Sequence, residues 1–134
     1  MGKIVPMTSY CLDTHAIVWY FTGQATLSRR AKEAIDAIFS GRAHGYISII
    51  VLLELLHLSF KHVTFSFPVI LRKLRQRNIF IVPVDKPLLT ICYRLPVSLE
   101  IHDRIIAATA KRSRSVLITK DAAFTRVSDL SILW

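Results

Sequence analysis

Acids are scarce in this sequence: nine Asp and Glu stand against eighteen Lys and Arg, leaving a net charge of +9. That balance favours a polyanionic partner such as nucleic acid or an acidic protein, and it makes the position of each acid informative. Cysteine is nearly missing. Cys11 and Cys92 have no CxxC spacing, which excludes a thiolate metal site and a disulfide framework and leaves reduced core thiols. Four Gly and five Pro beside 52% hydrophobic residues exclude a disordered chain, and there is no internal repeat or low-complexity segment. The longest apolar run, Ile47 to Phe60, has fourteen residues, short of the roughly 20 that a membrane span needs. The start, MGKIVPMTSY, lacks the long apolar region and small-residue cleavage site of a signal peptide, so a cytoplasmic location without membrane attachment is expected.

What is present reads as one α/β domain over residues 1–134, with 1–8 as a flexible or extended N-terminal segment. SYCL (Ser9–Leu12) is a short buried strand that runs into a helix start at Asp13-Thr14. THAIVWYF follows at helical spacing and stops near Gly23. LSRRAKEAIDAIFSG carries its own punctuation, with Ser28 as N-cap and Gly41 as stop, and puts Glu33 and Asp36 on the solvated side. AHGYI predicts a second strand, and Ser48 a cap for an apolar helix reaching about Lys61. HVTFSFP is a loop whose Pro68 opens the next helix. IFIVPV is a third strand, Asp85 caps a helix through Tyr93, LEIHDRIIAATAKR is strongly helical, and VLITKD is a compact strand ending in an acid. DAAF makes one helical turn, and SILW a last edge strand. Strand and helix in alternation predict right-handed βαβ units around a mostly parallel central sheet flanked by α-helices.

Four acids stand out. Glu54 interrupts the apolar helix, where a carboxylate without partners costs several kcal/mol or stays protonated. Asp13 and Asp121 sit just past the carboxyl ends of predicted strands, where open α/β sheets bind ligands. Asp103 lies in the first turn of the helix before the Asp121 strand. Each also has an ordinary explanation: a solvated stripe or structural ion pair for Glu54, helix caps for Asp13 and Asp121, and a first-turn dipole contact for Asp103, with Glu100 better suited to that last role. If they converge, their mutual repulsion calls for a divalent cation, and carboxylates with hydroxyls suit a hard ion such as Mg²⁺ or Mn²⁺.

LDTHAIVWY, IIVLLELL, HDRIIAATA and VLITKDAAF, in this order, resemble the PIN-domain nucleases, in particular the toxins of VapC type, over nearly all of the chain from Tyr10 onwards. The resemblance implies a PIN-like α/β fold and a metal-dependent endoribonuclease acting on structured or translation-related RNA. It also implies homodimerisation and a cognate antitoxin that covers the active-site groove. It puts the four acids of the site on Asp13, Glu54, Asp103 and Asp121 as metal-binding and catalytic residues, with Thr14, Ser48 and Thr119 as supporting hydroxyls. The chain departs from many relatives at Ala122 and Ala123, where a further acid is common, which implies a weaker metal site. His15, His57 and His102 lie near motif acids without an assigned role. Lys120 and Arg104 adjoin Asp121 and Asp103 and face either phosphate or solvent. The run Arg72, Lys73, Arg75 and Arg77 reads as the wet face of an amphipathic helix, with an RNA-backbone patch as the other reading. The alternative is a non-cleaving PIN-like module that binds RNA or protein, against which the intact acids at all four positions argue. A phosphoacceptor receiver domain would want paired acids after its first strand and a Lys after its last, and LDT and the absence of a central phosphoacceptor Asp argue against it.

Overall fold

The computed structural model describes residues 7–61 and 64–134. Most of the expected N-terminal segment 1–8 and part of the loop beginning at His62 therefore lie outside the described residues. Five strands, β1 (Ser9–Leu12), β2 (His44–Ser48), β3 (Ile79–Val82), β4 (Val116–Ile118) and β5 (Ile132–Leu133), form one sheet in the order β3-β2-β1-β4-β5, and every pairing is parallel. The reversal of direction at β1, with β2 on one side and β4 on the other, makes the β1/β4 junction the topological switch point of the fold.

The helices are α1 (Thr14–Thr22), α2 (Arg29–Phe39), α3 (Ile49–Lys61), α4 (Phe67–Lys73), α5 (Lys86–Tyr93) and α6 (Ile101–Arg112), and a short 3-10 turn covers Ala122–Arg126. Their ends follow the sequence punctuation. Ser28 Oγ accepts from the Ala31 N–H at 3.0 Å, and Gly41, at φ 80°, closes α2 with its own N–H on Ile38 O and the Arg42 N–H on Ala37 O. That pair of bonds is the Schellman arrangement, which needs a residue at ease in the left-handed region. Gly45 is required for a different reason. A Cβ there would stand 2.9 Å from Ile38 Cγ2, so its absence lets α2 close on the start of β2.

Burial is greatest along the central strands and α6. Cys11, Leu12, Ile47, Leu117 and Ile118 are sealed in the sheet, and Ala107, Ala108 and Ala110 let α6 lie close across β1, β2 and β4. Both cysteines are buried and free, and burial pushes the Cys11 thiol up to about 12, so it stays protonated. No helix among the described residues is long and apolar enough to cross a membrane.

Three expectations change. β4 ends at Ile118, so Asp121 lies three residues beyond the strand and caps the 3-10 turn. Asp36 is half-buried: Tyr20 donates its hydroxyl to it at 2.6 Å and Lys32 pairs with it at 3.0 Å. Arg104 faces neither phosphate nor solvent. Its guanidinium donates to the carbonyls of Cys92, Leu95, Pro96 and Leu99 at 2.8, 3.0, 2.5 and 3.2 Å in the turn between α5 and α6; the Cys92 and Pro96 carbonyls also accept from the N–H groups of Leu95 and Leu99 at 3.2 and 3.1 Å.

Candidate active site

The end of β1 delivers Asp13 into the switch point. It is buried, its Oδ1 accepts from the Ala16 N–H at 2.9 Å as the cap of α1, and its Oδ2 accepts from the Thr119 hydroxyl. Thr119 stands just past β4, and the same hydroxyl accepts from the Asp121 N–H at 3.1 Å. One threonine thus ties the ends of the two neighbouring strands together and orients both acids. Asp121 Oδ1 in turn accepts from the Ala123 N–H at 2.9 Å. The capping explanation holds for Asp13 and Asp121, and it does not compete with a site, because the caps themselves face a cavity.

That cavity, of about 380 Å³, is lined by Asp13, Glu54, Asp103 and Asp121 together with Thr14 and Lys120. Asp103 arrives from the first turn of α6, whose cap is Glu100, accepting from the N–H groups of His102 and Asp103 at 2.9 and 3.3 Å. Three of the four acids therefore sit at helical N-termini, where aligned peptide dipoles favour negative charge. Glu54 has no such help. It lies well inside α3, and its Oε1, like the Thr14 hydroxyl, is shielded from solvent without a hydrogen-bond partner.

The electrostatics follow from this crowding. Burial pushes the Asp103 carboxyl up to about 6, and Asp121, Glu100, Glu54 and Asp13 push in the same direction. Burial raises Asp13 as well, against the opposing bonds from Thr119 and Ala16. Glu54 is raised by burial and eased by the positive potential of His102 and His15, with the Thr14 side chain close by but not in hydrogen-bonding geometry. Groups held above their ordinary range by desolvation and like charge in one cleft mark a candidate functional site.

Ser48 stays apart from this cavity. It is fully buried and its Oγ accepts from the Ile50 N–H at 3.2 Å, so it shapes the turn from β2 into α3. His57 and His102 line an adjoining recess of about 480 Å³ that shares Glu54 and His15 with the acidic cavity. His15, Trp19, Ile106 and Phe124 complete the cavity wall. Trp19, Ile106 and Phe124 escape sequence reasoning because apolar residues at helical spacing read as core; the position of Trp19 one turn after His15 is the only signal.

Among the described residues, no group of three or more His, Cys, Asp or Glu side chains is drawn together as a metal-holding cluster. The donor set nevertheless suits a hard cation. It consists of carboxylate and hydroxyl oxygens, and two of its oxygens, Glu54 Oε1 and Thr14 Oγ1, lack any partner.

A five-stranded parallel sheet with acids gathered at the switch point defines an open α/β protein with its candidate site at the carboxyl ends of the central strands. The chain belongs to the PIN domain family, whose model matches residues 10–130, in keeping with the resemblance carried by the four motifs. Solved structures share the fold. VapBC from Salmonella typhimurium bound to DNA matches with a TM-score of 0.70 at 17% identity, over 95% of this chain and 98% of that one. VapBC2 from Rickettsia felis bound to a promoter DNA fragment gives 0.69 at 18%, over 94% and 98%. A toxin–antitoxin complex from Klebsiella pneumoniae gives 0.68 at 22%, over 93% and 96%. None of the curated proteins matches the sequence.

Proposed function

We propose that the protein is a divalent-metal-dependent endoribonuclease, a toxin of VapC type that hydrolyses RNA phosphodiester bonds and is held in check by a cognate antitoxin. The observation that carries this reading is the convergence of Asp13, Glu54, Asp103 and Asp121, from four separate elements, on one cavity. Membership of the PIN family and a likeness in fold to toxin–antitoxin complexes support it.

In this reading Asp13, Asp103, Asp121 and Glu54 hold Mg²⁺ or Mn²⁺, with Thr14 nearby. Such a cation, when bound, lowers the pKa of a water and stabilises charge on the phosphodiester oxygens. The chain supplies the rest. Thr119 and the first turn of α1 fix the Asp13 carboxylate, which removes the cost of orienting it during the reaction. Lys120, on the cavity wall, gives a phosphate a positive neighbour among the acids. The net charge of +9 draws RNA towards the site over a longer range. Exposed apolar side chains, among them Phe60, Leu89, Tyr93 and Val97, support burial in a homodimer or under the antitoxin.

The test is to purify the protein free of partners and incubate it with total RNA in Mg²⁺ or Mn²⁺, beside EDTA and an Asp13→Asn control. Discrete cleavage lost in both controls is the expected result. A folded wild type indistinguishable from Asp13→Asn with either metal puts the non-cleaving RNA-binding reading ahead.

A further inference from the structure

Beyond the acidic cavity and the recess of His57 and His102, α1 borders a third space, a recess of about 220 Å³, bounded by Val18, Thr22, Gln24, Leu58 and Phe65. His15 and Trp19 line both this recess and the acidic cavity, so together they form the wall between them. The wall is aromatic. The His15 and Trp19 rings lie 5.4 Å apart at 39°, and Trp134 braces the indole edge-on at 5.6 Å. The indole itself is half-buried. Polar groups stand at the recess: the Thr22 hydroxyl donates to Val18 O at 2.7 Å and keeps its lone pairs for an acceptor role, and the Gln24 amide is exposed.

We infer that this recess is a nucleobase subsite: a base next to the phosphate in the acidic cavity lies against the Trp19–His15 wall, with Gln24 and Thr22 meeting its polar edge. The ligand class is single-stranded RNA, since a paired base offers no free face to an aromatic wall. This deepens the nuclease reading and rests on it for the placement of the phosphate. Stacking is tolerant of base identity, so preference among bases would come from Gln24 and Thr22.

The experiment uses the full chain with Trp134→Phe, which leaves Trp19 as its one tryptophan. A fluorescein-labelled mixed-sequence ribo-oligonucleotide is titrated in EDTA, with binding read by anisotropy, and an unlabelled copy is titrated in parallel, with stacking read by quenching of Trp19. Copies of the oligonucleotide with a single abasic position, moved along the strand, follow. The expected result is saturable quenching that one abasic position abolishes, with binding weaker by about tenfold, the size of one lost base–aromatic stack. Trp19→Ala should weaken binding by a similar factor and Trp19→Phe should restore most of it; Gln24→Ala should change the base preferred at that position. Binding by anisotropy with no quenching, or an abasic series without a sensitive position, overturns the subsite and leaves the nuclease reading standing. Quenching with a sensitive position but no cleavage when Mg²⁺ or Mn²⁺ is restored keeps the subsite and removes the nuclease reading. No RNA binding either in EDTA or when Mg²⁺ or Mn²⁺ is restored overturns both.

Discussion

Two junctions of this chain look alike in sequence. At each, a strand is followed by an aspartate that caps a helix: Asp13 after β1, its Oδ1 on the Ala16 N–H, and Asp85 after β3, its Oδ1 on the Leu88 N–H at 3.0 Å. Their electrostatics run in opposite directions. Asp85 follows an edge strand, is only half-buried, and pairs with Arg112 at 2.6 Å, which holds its carboxyl below the usual range. Asp13 follows the central strand and is buried, with Thr119 as a partner and other acids as neighbours, and its carboxyl is raised by burial. The same local device is a settled structural cap at the edge of the sheet and part of an under-neutralised acidic cluster at its centre. Position in the sheet order makes the difference: at the switch point several helix starts and strand ends face one space.

The largest effect expected from this contrast is on activity. Asp13→Asn keeps a capping oxygen but removes a charge from the cavity, and cleavage of RNA in Mg²⁺ should fall about a hundredfold or more. Asp85→Asn makes the same chemical change and should leave the cleavage rate near that of the wild type. Equal losses in a side-by-side assay would break the comparison. Next in size, Arg104→Ala should cost about 2–4 kcal/mol in denaturant unfolding, because the Leu95 and Leu99 carbonyls lose their donor and those of Cys92 and Pro96 lose one of theirs, while its neighbour Asp103→Asn should not destabilise the metal-free protein at neutral pH.

A pH scan sharpens the contrast further. Asp103 titrates at about 6 in the folded chain, above its ordinary 3.8, so the folded state holds the proton longer and stability falls as pH rises through that window. In EDTA the Tm of the wild type should therefore decline from acid to neutral pH relative to Asp103→Asn, which lacks this component. Asp85 has the opposite sign: its lowered pKa contributes stability at neutral pH that is lost as pH falls through the folded value. Asp85→Ala should give a small loss of Tm at neutral pH that shrinks in acid, and a melt series over the same buffers checks both slopes. Finally, Mg²⁺ or Mn²⁺ should raise the Tm of the wild type and of Asp85→Asn, and raise it less in Glu54→Gln, which loses the carboxylate left without a partner. An identical shift in all three would remove Glu54 from the metal site.

Much of this was legible from local chemistry. Ser28, Gly41, Asp13 and Asp85 announce helix ends because a cap is a contact between residues two to four positions apart, and alternation of strand and helix announces a parallel sheet. The four acids stood out because acids are rare here and one of them breaks an apolar helix. Arg104 was not legible, since its four carbonyl partners belong to a turn whose path depends on how α5 packs on α6. Asp36 was read as solvated because the Tyr20 that covers it comes from a different helix.

The sequence by itself determined the elements, their caps, the parallel class of the sheet and which acids are candidates, because these depend on spacing along the chain. The tertiary structure alone decided that β1 and β4 lie side by side, that Thr119 reaches Asp13 across 106 residues while also holding Asp121, that Ser48 turns away while Trp19 and Phe124 enter the cavity wall, and that Glu54 Oε1 is left without a partner. The physical reason is that hydrogen-bond satisfaction and desolvation are properties of the space around a group, and that space is enclosed by residues far apart in the chain.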